Sequence, residues 1–155
     1  MAGDAGGGFA YFENTGSATS AAFVARTGAA NPLGGWGVGD DSAPALADVD
    51  RDGDLDLVVG NSSGPFAYFE NTGSATSPAF IQRTGGENPF AAWDVGDAPA
   101  PAFADLDGDG DPDLVPGNAE GTFHTYYLPE PAQGLLLGAG VALLGLLDRL
   151  RGRRR

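Results

Sequence analysis

Asp48, Asp50, Asp52, Asp54 and Asp56 fall within nine consecutive residues, and Asp105, Asp107, Asp109, Asp111 and Asp113 do so again. Both segments read D-x-D-x-D-G-D-x-D, with Gly53 and Gly110 at the sixth position. Carboxylates at alternate positions of a tight loop can converge on one hard cation. Calcium takes about six to eight oxygen ligands at roughly 2.3–2.6 Å, and glycine at the sixth position permits the sharp turn that wraps a chain round the ion. On this reading positions 1, 3 and 5 supply side-chain oxygens, position 7 a backbone carbonyl and position 9 a closing carboxylate. A plain polar turn explains the spacing less well, because five carboxylates so close together repel one another without a cation. Magnesium demands stricter geometry and retained water. Position 12 carries Val59 and Pro116 rather than Glu, and the flanks read as strands. A calcium loop inside a β-hairpin is therefore expected, not a helix-flanked one, with about two ions per chain.

Elements that position these loops must repeat as the loops do. Residues 11–60 and 68–117 align without a gap at a period of 57, with 34 of 50 positions identical. A third, decayed copy starts after Gly117, where Phe123 and Tyr126 follow Phe66 and Phe69. Each copy reads as four short strands, at 44–49, 55–61, 66–70 and 79–84 in the middle one, separated by Gly, Asn, Asp and Ser. Leu55, Leu57 and Val59 are expected to alternate onto one face. Four short strands per repeat of this length is a propeller signature. The fold class is thus all-β: a partial β-propeller of about two to two and a half four-stranded blades over residues 1–127. Trp36 and Trp93 are expected to pack between blades. The first copy begins inside its second strand and the last stops after its third, so a fragment or closure by pairing with other chains is expected.

Composition narrows the chemistry. There is no cysteine or lysine and only one histidine, His124, which stands where earlier copies have Ala10 and Ala67. Residues 1–128 hold 19 acids against Arg26, Arg51 and Arg83, a balance of −16 that repels nucleic acid. The chain opens without a basic and apolar leader, and Asn61-Ser62-Ser63 is read as a turn rather than a glycosylation acceptor. Residues 128–155 differ in kind: Pro129, Glu130 and Pro131 precede 14 apolar residues, 134–147, and then Asp148 and five arginines. The apolar run predicts a single C-terminal helix, short for a full span, with its arginines on the cytoplasmic side.

The stretch from Pro44 through Asp48 to Asp56, Gly60 and Asn61, followed by Phe66 to Gly73, resembles the FG-GAP or VCBS-type repeat. That resemblance covers residues 1–127 and implies propeller blades with calcium between the first two strands, held by Asp48, Asp50, Asp52 and Asp56 and by Asp105, Asp107, Asp109 and Asp113. Pro112 and Pro116 depart from it and suggest an edge or decaying blade. The tail resembles the PEP-CTERM sorting signal, matched at Pro129, Glu130 and Pro131. It implies an exosortase-like sorting protease as partner, membrane association through 134–147, and export with inner-membrane anchoring before sorting to the cell surface or matrix. Such proteins carry an N-terminal signal, so the true start is expected upstream of Met1. The function expected is a non-enzymatic, calcium-stabilised bacterial surface module whose ligand is an extracellular polysaccharide or protein. The alternatives are a truncated remnant of a larger surface propeller and, less favoured, an enzyme.

Overall fold

The computed structural model describes residues 1–128. Strands β1 (Ala2–Gly3), β2 (Phe9–Asn14) and β3 (Phe23–Arg26) form a three-stranded antiparallel sheet. Strands β4 (Ala43–Ala47), β5 (Asp56–Gly60), β6 (Ala67–Asn71) and β7 (Phe80–Arg83) form a complete four-stranded meander. Strands β8 (Phe103–Ala104) and β9 (Asp113–Leu114) form a third sheet, which Tyr126 joins through a bridge to Leu114. Each sheet is one turn of the 57-residue repeat. The first holds its second to fourth strands, the second all four, the third its first to third. Pro112 and Pro116 flank β9 and coincide with its reduction to two residues, since proline donates no ladder hydrogen bond. The described residues are all-β: besides single 3-10 turns at Gly28–Ala30 and Gly85–Glu87 they contain no helix. Among them no helix is long and apolar enough to cross a membrane. The expected helix at 134–147, the Pro129-Glu130-Pro131 motif and the arginine cluster lie outside the described residues.

Burial corrects one expectation about β5. Leu55 lies before the strand and is 51% exposed, whereas Leu57, Val58 and Val59 are each 0% exposed. The strand does not alternate between core and solvent, because an apolar cluster covers each of its faces. Leu57 and Val59 cluster with Phe9, Leu33 and Phe69. Val58 points the other way, into a cluster with Tyr68, Phe90, Val95 and Leu114. The middle sheet is therefore packed against its neighbour on both sides, and its central strand needs β-branched apolar residues throughout.

The tryptophans sit at these seams. Trp36 meets the Phe69 ring edge-on with centroids 5.3 Å apart, and Trp93 stacks on Tyr126, the residue equivalent to Phe69, at 4.4 Å. Each belongs to the connection between two sheets and packs on an aromatic of the following one. Gly3 and Gly60 are seam positions too. A Cβ on Gly60 would lie 1.7 Å from the Pro99 carbonyl oxygen, and one on Gly3 2.0 Å from that of Ser42. The backbone leading into the next sheet passes where a side chain would be. Asn61 and Asn118 tie the same seams by donating from Nδ2 to the carbonyls of Val38 and Val95. Asn61, Ser62 and Ser63 form a turn, as expected, with Asn61 buried.

Candidate metal centre

Both acidic loops connect the first two strands of a repeat. Ala47 pairs with Asp56 and Ala104 with Asp113, so residues 48–55 and 105–112 are the hairpin connections. Short hydrogen bonds within each loop curl it. In the first, Asp48 Oδ2 accepts from Gly53 N at 3.1 Å, Asp50 Oδ1 from Asp52 N at 3.2 Å, and Asp52 Oδ1 from Asp54 N at 3.1 Å. The second repeats the pattern: Asp105 accepts from Gly108 N and Gly110 N, Asp107 from Asp109 N, and Asp109 from Asp111 N. The sixth position is left-handed in both, with φ of 96° at Gly53 and at Gly110. That conformation is open to glycine at no steric cost.

This curling brings together the side chains the spacing selected. Asp48, Asp50 and Asp52 each offer a carboxylate oxygen within 4.8 Å of the others, and so do Asp105, Asp107 and Asp109. Asp48 Oδ1 is buried without a hydrogen-bond partner. An acceptor in that condition fits a cation at the first ligand position. Asp50 is pushed above the usual carboxylate range, chiefly by burial and further by the charges of Asp52, Glu70 and Asp48. Asp107 is raised as well, by burial first and then by Asp109 and Asp113. Crowded, partly desolvated negative charge is what a divalent ion relieves.

Position 9 carries hydrogen bonds that spacing alone does not convey. Asp56 is 1% exposed, and its carboxylate accepts three hydrogen bonds. Oδ2 takes Val49 N and the Tyr68 hydroxyl, both at 3.0 Å, and Oδ1 takes Asn71 N at 2.8 Å. It ties the loop's second residue to strand β6. Burial still raises Asp56 to about 6, those three donors opposing the rise. Tyr68 is pushed upward in turn, by burial and by the Asp56 charge. Asp113 repeats one of these bonds, accepting Leu106 N at 2.9 Å. Thr125 and Leu128 stand where Tyr68 and Asn71 do in the middle repeat.

At position 7, Asp54 is buried with Oδ1 lacking a partner, whereas Asp111 pairs with Arg51 of the other loop at 2.5 Å. Arg51, at position 4, has φ of 64°, and Gly108 holds that position in the second loop with φ of 81°. Sequence reasoning missed Tyr68, Asn71 and Arg51. The recurrence of Tyr and Asn at 11 and 14 marks the first two as repeated but does not say which carboxylate they serve. His124 stacks at 6.2 Å from Tyr126 and is exposed.

Residues 48–115 match the family model described as FG-GAP-like repeat. The matched FG-GAP-like segment begins on the first candidate ligand, Asp48, and ends just after β9, so it contains both acidic loops and the whole four-stranded sheet except β4. No curated protein and no solved structure matches the chain.

Proposed function

We propose that this chain is a calcium-stabilised, non-enzymatic binding or structural module: a partial β-propeller belonging to the bacterial cell surface. The observation that carries the reading is the pair of carboxylate clusters, each within 4.8 Å, built by equivalent hairpins. Asp48, Asp50 and Asp52 in one loop, and Asp105, Asp107 and Asp109 in the other, are the side chains that hold the ion. Asp54 and Asp111 contribute through their carbonyls. Asp56 and Asp113 fix the loop frame from β5 and β9. When bound, calcium supplies positive charge that neutralises these crowded carboxylates and stiffens the hairpin. The acidic surface, with 19 acids in residues 1–128, argues against a nucleic-acid partner and leaves an extracellular polysaccharide or protein as the ligand.

Export and anchoring belong to the same proposal and rest on the tail sequence. Pro129, Glu130 and Pro131, then 134–147, then the arginines suit recognition by an exosortase-like protease and inner-membrane retention before sorting. Calorimetric titration of the full chain with calcium tests the central claim. Two ions are expected, with Asp50→Ala removing one and Asp107→Ala the other. Undetectable binding, or two ions retained by both variants, overturns it.

A further inference from the structure

The seam between neighbouring sheets is built twice within the chain, each time from the same two halves. One half is a phenylalanine at the entry to the repeat's third strand. Phe9 meets the Phe69 ring edge-on at 6.1 Å, and Phe66, one period later, lies in the cluster that includes Leu114 of the third sheet. The other half is the receiving face of the following sheet, where Phe69 is fully buried and Ala67 and Phe80 pack beside it. The two end sheets carry one unused half each. Phe123 is the next phenylalanine of the series, and it is 79% exposed where Phe9 and Phe66 are at 9% and 3%. Gly117 follows Gly3 and Gly60 in the repeat. Those two lie under the carbonyl oxygens of Ser42 and Pro99, whereas the nearest atoms to a Cβ on Gly117 belong to Phe123 and Thr122 of its own sheet. In the first sheet, Ala10, Phe12 and Phe23 stand where Ala67, Phe69 and Phe80 do in the middle one. The pairing of Phe12 with Ala25 and of Asn14 with Phe23 puts both rings on one face. Phe12 is 42% exposed and Phe23 69%.

We propose that these faces join two copies of the chain head to tail, the Phe123 face of each copy seated on the Phe12 face of the other. The occupant is a second copy because the chain holds both halves of the contact and makes the same contact twice internally. The repeat's third strand, which carries both rings, is present in both end sheets, so the contact does not need the strands those sheets lack. Aromatic rings in edge-on contact at a desolvated seam are the groups that dominate association. A contact between unlike faces adds copies in one direction and ends only where the rotation closes. Each copy supplies three sheets, so two copies supply six, within the range of about four to eight that closes a propeller. The assembly is therefore a two-copy ring with two equivalent seams. Charge opposes it. Residues 1–128 carry a balance of −16, so the copies repel, and salt that screens the repulsion strengthens the association.

Sedimentation velocity of the full chain tests this. A dimer is expected, and raising the salt should shift the equilibrium further toward it. Phe12→Asp and Phe123→Asp should each weaken self-association about ten-fold or more. Both side chains are exposed in the single copy, so the fold should survive, with an unchanged circular dichroism spectrum. If Phe12→Asp fails to fold, Phe23→Asp on the same face takes its place. Mixing the two variants is the decisive arm. The mixture should form a heterodimer, since one of its two seams then joins an intact Phe12 face to an intact Phe123 face. A parent chain that stays monomeric at every salt concentration overturns the proposal. So does a mixture of the two variants that stays monomeric. An assembly that survives both substitutions in one chain, as one driven by residues 134–147 would, overturns it as well.

Discussion

The two acidic loops share a spacing and differ in their surroundings. In the first, the position-9 carboxylate of Asp56 is held by Val49 N, Asn71 N and the Tyr68 hydroxyl. In the second, Asp113 shows the Leu106 N–H alone among those three, because the third copy of the repeat has Thr125 and Leu128 where the donors of β6 stand. One loop is built into a complete sheet and the other hangs on a two-residue strand. Ligand type is thus set by the loop, while the loop's rigidity is set by the strand that arrives twelve to fifteen residues later. A duplicated motif keeps its chemistry and loses its frame when the outer part of the repeat diverges.

The largest effect should come from removing the anchors. Asp56→Ala leaves three donors without an acceptor in a buried site, and each such orphan costs roughly 1–3 kcal/mol. A loss of about 3 kcal/mol or more in denaturant unfolding is expected. Asp113→Ala should cost about 1 kcal/mol, the loss of a single bond at the margin of the fold. Equal losses would mean that the donors from β6 do not distinguish the loops.

Calcium withdrawal comes next. An ion bound only by the folded chain stabilises it by about 2.7 kcal/mol at a hundredfold excess over its dissociation constant. Chelation should lower the melting temperature accordingly. The drop should shrink more in Asp50→Ala than in Asp107→Ala, since the first loop is the better framed. A melting curve indifferent to chelator breaks the metal reading of both loops.

The pH dependence sharpens the comparison, because Asp56 rises to about 6 from an ordinary 3.8. Between those values the folded chain holds a proton that the unfolded chain has released. The stability this confers is complete below 3.8 and is lost as pH rises through about 6. Asp50, Asp54 and Asp107 are raised and act in the same direction; Glu70, held down by its hydrogen bonds to Arg83, opposes them. With chelator present, the melting temperature should fall from about pH 5 to about pH 7.5. Saturating calcium should flatten or reverse that slope, since the ion favours the ionised carboxylates. Asp56→Asn should weaken the slope. A calcium-free slope of the opposite sign would refute the burial argument.

Much of this was legible in the sequence because it is local or duplicated. The period, the strands around the loops and the convergence of Asp48, Asp50 and Asp52 all follow from residues close in the chain. What escaped depends on partners far away. Nothing in D-x-D-x-D-G-D-x-D says that the last aspartate of the first loop also accepts from Tyr68 and Asn71. Alternation assigned Leu55 to the face of Leu57, but the strand begins only at Asp56, and a single strand cannot show that a second sheet buries Val58 on its other side. Arg51 looked like one more scattered base, and its meaning lies in Asp111, which the hairpin geometry of two sheets brings within reach.

The smallest expected effect separates charge from backbone at Arg51. Its φ of 64° is the left-handed region, where a side chain costs about 1–2 kcal/mol, and Gly108 fills the same position in the second loop. The ion pair with Asp111 is only partly buried, with side-chain exposures of 22% and 19%, so about 0.5–1 kcal/mol is expected from it. Arg51→Ala loses the pair and keeps the backbone cost, and should destabilise by about 0.5–1 kcal/mol. Arg51→Gly loses the pair and removes the cost, giving the first loop the second loop's residue. Its stability should match or slightly exceed that of the parent. Raised salt should weaken the parent more than either variant, since both lack the charge that salt screens. Were Arg51→Gly as destabilising as Arg51→Ala, the left-handed strain would be absent and the tie between the loops would be worth more than a partly exposed pair. Were both neutral, the tie would contribute nothing, and the loops would behave as separate units joined only through their sheets.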